Sequence, residues 1–94
     1  MLERLLQINA EAFAGRQFEV AYHTLLAALH IVDDAHDRQG LERIARTVAE
    51  QGGAMQAASS LFRLYDTLRV HADAVRLRMD SAEQAGRRSG TPAR

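Results

Sequence analysis

The sequence predicts an all-α chain of two tandem antiparallel helical hairpins, four helices in all, with the last helix long and extended. Three observations carry that prediction. Among 94 residues Ala occurs 17 times and Leu 11 times, and both are strong helix formers, whereas Val and Ile together number only 8. Residues 1–85 contain no proline; the only one is Pro92. Apolar residues recur at spacings of three and four, and glycines or polar runs interrupt the recurrence at three places.

The first helix is expected over residues 2–14, where Leu2, Leu5, Leu6, Asn9, Ala12 and Phe13 keep helical spacing. Gly15 then offers the permissive backbone that ends helices. The second helix is expected over 17–33, with Phe18, Ala21, Leu25, Ala28, Leu29 and Val32 on one stripe. The polar run Asp33-Asp34-Ala35-His36-Asp37 interrupts it. Asp37 is suited to cap the next helix, because its short side chain can accept a bond from a free backbone N–H. The third helix is expected over 38–51, with Leu41, Ile44, Ala45 and Val48 facing one way and Arg43, Arg46, Thr47 and Glu50 the other. Gly52-Gly53 marks the following turn.

The fourth helix is expected over 54–85. Ala58, Leu61, Tyr65, Leu68, Ala72, Val75, Met79 and Ala82 alternate at three and four, a heptad pattern held for more than three heptads. A charged stripe runs beside it, and Arg69/Asp73 and Arg76/Asp80 place opposite charges four apart. Each such pair adds about 0.2–0.5 kcal/mol to a helix. Residues 1–85 thus read as a single helical domain. Residues 86–94 hold Gly, Ser, Thr, Pro and Arg with no apolar period and read as a disordered tail.

Composition narrows the function. Lys plus Arg and Asp plus Glu each number 12, for a formal net charge of zero. That balance argues against a nucleic-acid partner. The lack of cysteine excludes disulfides, thiolate zinc sites and a cysteine nucleophile. No apolar run approaches the roughly 18 residues of a membrane span, and Met1-Leu2-Glu3 does not begin a signal peptide. A cytoplasmic location without membrane contact is the expectation. Every basic residue is Arg, as expected of a GC-rich bacterial genome. With no glycine-rich phosphate loop and no Glu-x-x-His pair, neither enzymatic residues nor a cofactor is expected.

A shift of 36 residues superposes the two halves: Leu5 falls on Leu41, Ile8 on Ile44, Ala21 on Ala57, Leu25 on Leu61 and Val32 on Leu68. The pattern resembles tetratricopeptide repeats over about residues 4–68. Leu5, Ile8, Asn9 and Ala12 take the Trp, Leu, Gly and Tyr positions of the first unit, and Ala21, Leu25 and Ala28 follow in its second helix. Leu41, Ile44, Ala45 and Val48, then Ala57, Leu61 and Leu64, fill the second unit. A four-helix bundle satisfies the same stripes. The resemblance implies a peptide groove along the first helix of each hairpin. Its lining would be Leu6, Ala10, Phe13, Glu42, Arg46 and Ala49. Leu6 and Phe13 also suit plain core or dimer contacts.

Two segments carry potential chemistry. His30, Asp33, Asp34, His36 and Asp37 are all possible ligands for zinc or manganese, but their spacing matches no metal motif, and a solvated turn with a helix cap accounts for them. Tyr22-His23-Thr24-Leu25-Leu26-Ala27-Ala28 loosely resembles the phosphorylated helix of histidine phosphotransfer domains, which are four-helix bundles with a His-x-Leu-Lys-Gly motif. His23 and Leu25 match, while Leu26 and Ala27 replace the Lys and Gly. Without that cation the charge stabilisation expected for phosphoryl transfer is reduced. The expected function is a non-catalytic protein-interaction or assembly module, with a second copy, another protein or a peptide as its partner. A homodimer is expected through Leu68, Ala72, Val75, Met79 and Ala82, because the fourth helix outruns the third and would leave that stripe in water.

Overall fold

The computed structural model describes residues 1–55 and 60–90. Four helices follow in order: α1 (Leu2–Ala14), α2 (Phe18–Ala35), α3 (Arg38–Ala54) and α4 (Ser60–Gly90). The helix pairs α1 with α2 and α3 with α4 pack as antiparallel hairpins, and α2 contacts both α3 and α4. Cross-helix contacts fix the relative directions. Glu3 meets Arg43 and Asn9 meets Gln51, so α1 and α3 run parallel. Tyr22 meets Tyr65, His30 meets His71 and Asp33 meets Arg78, so α2 and α4 run parallel.

The first two turns share one device. Both α1 and α2 end in a residue with left-handed backbone, Arg16 (φ 59°) and His36 (φ 52°). Around Arg16, the Arg16 and Gln17 N–H groups donate back to the Phe13 and Ala12 carbonyls, and around His36 the His36 and Asp37 N–H groups donate to Asp33 and Val32. These are Schellman closures, which satisfy carbonyls a helix end would otherwise leave free. Gly15, expected to supply the permissive conformation, has an ordinary φ of −84°. Asp37 caps α3 as its position suggests, its Oδ1 accepting from the Gly40 N–H at 2.9 Å.

The third turn departs from expectation. Gly52 and Gly53 lie within the last turn of α3, whose C-cap is Met55. Gly52 backs onto Tyr65, where a Cβ would stand 3.6 Å from that side chain, so α3 continues through it against α4. The described part of α4 begins at Ser60; Ala58, expected on its stripe, and Ala57, expected in the second repeat unit, lie outside the described residues. At the far end α4 reaches Gly90, five residues into the stretch expected to be disordered. One glycine at position 86 costs a helix about 1 kcal/mol, and no proline stands before residue 92 to stop it. Residues 91–94 lie outside the described residues.

The core is one cluster of Leu25, Ala28, Leu29 and Val32 from α2, Leu41, Ile44 and Val48 from α3, and Tyr65, Leu68, Ala72, Val75 and Met79 from α4. The overshoot expected of α4 is therefore largely absent. Arg38, at the first turn of α3, reaches Asp80 and Glu83, so the partnered part of α4 extends to Glu83. The expected dimer residues Leu68, Ala72, Val75 and Met79 are at most 4 % exposed within one chain. Only Ala82 of that set is exposed, beside a hollow shared with His36, Met79 and Glu83. The physical reason is that α2 as well as α3 lines α4, and together they cover the stripe without a second copy. Among the described residues no helix is long and apolar enough to cross a membrane.

Candidate functional site

One buried polar cluster ties all four helices together. The Asn9 side chain, on α1, donates through Nδ2 to the Ala21 carbonyl of α2 at 2.8 Å and to Gln51 Oε1 of α3 at 3.2 Å. Gln51 Nε2 donates back to Asn9 Oδ1 at 2.6 Å, and the Tyr65 hydroxyl of α4 donates to Gln51 Oε1 at 2.6 Å. Asn9 and Tyr65 are almost wholly buried and Gln51 is 8 % exposed. Buried amides are costly unless bonded, and every partner here is also an amide, carbonyl or phenol of the cluster. Burial pushes the Tyr65 hydroxyl up to about 12, so it stays a proton donor through the neutral range. The cluster carries no charge, and its hydrogen bonds link the four helices at one register.

Sequence reasoning placed Asn9 and Tyr65 on apolar stripes and overlooked Gln51. The signal was present: Leu41, Ile44, Val48 and Gln51 continue one spacing of three and four, and a polar residue on a core stripe needs a partner.

The positions expected to line a groove have differing surroundings. Phe13 packs edge-on to Phe18 at 5.3 Å, and Leu6 is half-buried against the core. Glu42 is gripped by Arg76, whose Nε and Nη2 donate to its two oxygens at 2.9 and 2.8 Å. That guanidinium holds the Glu42 carboxyl below the usual carboxylate range. Ala49 lines a cleft of about 250 Å³ between α3 and α4 with Gly53, Phe62, Asp66 and Arg69. Phe13 thus turns toward α2 and Glu42 toward α4, while Ala10, Arg46 and Ala49 are exposed.

The residues with metal-ligand chemistry are likewise distributed. Asp33 pairs with Arg78 at 2.7 Å, His36 forms the left-handed turn, Asp37 caps α3 and His30 lies edge-to-face with His71 at 5.7 Å. Asp34 is exposed. Among the described residues no three His, Asp or Glu side chains converge as a metal site would require. His23 is exposed in the second turn of α2, with Tyr22 edge-on at 5.0 Å.

The most exposed large apolar side chains outside the N-terminal residue are on α4. Leu77 is 66 % and Val70 54 % exposed, one heptad apart on the face opposite the buried stripe. Ion pairs flank that face on both sides: Arg76 and Asp80 reach α3, while Arg78 reaches α2.

Comparison with family models, curated protein sequences and solved structures finds no match to this chain.

Proposed function

We propose that the chain is a non-catalytic interaction or assembly module built of tetratricopeptide-like tandem hairpins, acting as a homodimer. The observation that carries this reading is the outer face of α4. Val70 and Leu77 are set on a rigid helix whose inner face is already spent on the core. Exposed apolar residues at helical spacing on a braced element suit helix-to-helix docking. The parallel course of α1 with α3 and of α2 with α4 supports the stacked-hairpin comparison. Asp37, Glu42, Asp33 and Tyr65, which could do chemistry, serve here in a cap, cross-helix ion pairs and the buried cluster.

Light scattering coupled to size exclusion tests the proposal. The unmodified protein should give twice its 10.4 kDa chain mass at high micromolar concentration and shift toward the monomer on dilution. A monomer throughout overturns it.

The exposure of His23 favours a second reading, a phosphotransfer-like bundle with His23 as acceptor. Leu26 and Ala27 still stand where a cation and a glycine would assist. Incubation with a small phosphodonor followed by intact-mass measurement decides it: a phosphoryl adduct lost in His23→Ala supports this reading, and no adduct removes it.

A further inference from the structure

We infer that α4 pairs with α4 of a second copy as a short parallel coiled coil, Val70 and Leu77 each meeting its own counterpart across the two-fold axis. This rests on the assembly reading above and adds to it a face, a direction and a register.

The face follows from heptad arithmetic. With Val70 and Leu77 at the d positions, Thr67, Ala74 and Ser81 fall at a. That a layer is small, so two helix backbones can approach closely. The Thr67 hydroxyl donates to the Arg63 carbonyl of its own helix at 3.0 Å and so can enter a contact without losing its partner. Among the described residues α3 bonds Arg76 and Asp80 on one flank of this seam, α2 bonds Arg78 and meets His71 on the other, and Thr67, Val70, Leu77 and Ser81 between them are exposed.

The direction follows from charge. In this frame Asp66, Asp73 and Asp80 occupy every g position along the seam, while His71 and Arg78 occupy e. An antiparallel pair sets g against g, and centred on Val70 and Leu77 it places Asp73 against Asp73 and Asp66 against Asp80. A parallel pair sets each g against the e residue five further along the other helix. Asp66 then faces the partner's His71, and Asp73 faces the partner's Arg78. Asp66 and Asp73 already bond Arg69 and Arg76 at 2.8 and 3.1 Å, and Arg78 bonds Asp33. Their side chains nevertheless remain 53, 51 and 58 % exposed, so each can take a second partner across the seam.

The chain has no cysteine, so one introduced thiol reports one position. Val70→Cys and Leu77→Cys, each shown helical by circular dichroism, are oxidised mildly and resolved without reductant, singly and as an equimolar mixture. The expected result is efficient disulfide dimer in each single variant, and dimer dissociation about tenfold easier in Asp73→Arg, where a like-charged pair replaces an opposite one twice. A dimeric protein that cross-links only position 70 to position 77 in the mixture overturns the parallel direction. A dimer that cross-links at neither position overturns the face while leaving dimerisation standing. A protein monomeric by light scattering overturns both.

Discussion

Asn9, Gln51 and Tyr65 each contribute one polar group to a cluster that would otherwise be apolar, and the consequence is mutual dependence. Removing one member strands the others in a dry site, at about 1–3 kcal/mol per unsatisfied group. Asn9→Ala and Gln51→Ala should each lower the unfolding free energy read from urea titration by that measure. Their double mutant should cost clearly less than the sum, because the second removal no longer strands the amide partner already lost and leaves only the Tyr65 hydroxyl without its acceptor. Additivity would contradict the cluster. Tyr65 adds a pH signature. Its folded-state value of about 12 lies above the unfolded value of about 10, so its contribution is complete below pH 10 and is lost as pH rises from there toward 12. Tyr65→Phe should flatten the alkaline limb of a stability-against-pH curve between those limits.

Glycine and left-handed positions are separable at the same scale. A Cβ at Gly40 would meet Asp37 Oδ2 at 2.4 Å and Val32 Cγ1 at 2.7 Å, striking both the α3 cap and the α2 wall. Gly40→Ala should therefore destabilise by about 1–3 kcal/mol in thermal unfolding, as a lost cap and an overpacked contact would. Arg16→Gly and His36→Gly should each raise the melting temperature by a few degrees, since Arg16 and His36 hold a left-handed backbone that costs about 1 kcal/mol outside glycine. The sequence pointed to Asp37 as a cap because capping is local. It could not point to Gly40, whose constraint comes from Val32 across the turn.

Among the elements, α4 shows most clearly what periodicity can and cannot reveal. Its heptad stripe was legible: Tyr65, Leu68, Ala72, Val75 and Met79 are the α4 share of the core. The surface that covers them was not legible, because spacing says which face is apolar but not whether one neighbour or two lies against it. With α2 and α3 both present, Val75 is fully buried. Val75→Asp should thus unfold the chain, at a cost well above the roughly 1 kcal/mol of a typical substitution, rather than merely split a dimer. The charged stripe misled in a related way. Arg76 was expected to pair with Asp80 along the helix, but Arg76 grips Glu42 and Arg38 takes Asp80. Cross-helix partners won because α3 presents them within reach. Glu42 is held below its ordinary pKa of about 4.3, so the bridge stabilises above that pH and is lost as acid protonates the carboxylate. Glu42→Gln should remove part of the acid sensitivity of unfolding while lowering stability at neutral pH. Since the pair is about one-third to one-half exposed, the neutral loss should be at the small end of ion-pair values.

At the scale of the molecule, two hairpins close a core without outside help, and the long axis of 58 Å is set chiefly by α4, whose 31 residues span about 46 Å. The tandem arrangement was readable from the 36-residue shift, which matches the starts of α1 and α3. The shift holds less well in detail: Ile8 is 38 % exposed where Ile44 is fully buried, because α3 has a hairpin behind it and α1 has none. The proposed assembly surface was hidden for the opposite reason. Val70 and Leu77 lie off the strong stripe, and only once the structure assigns that stripe to the core does their face stand out. On the proposed reading α4 has an inner face that makes the fold and an outer face that would join two copies. Light scattering of Leu77→Glu beside the unmodified protein, at one high micromolar concentration, tests that division most directly. The account predicts twice 10.4 kDa for the unmodified chain and 10.4 kDa, with helicity unchanged, for Leu77→Glu. A Leu77→Glu protein that remains dimeric, or an unmodified protein that is monomeric, would contradict it.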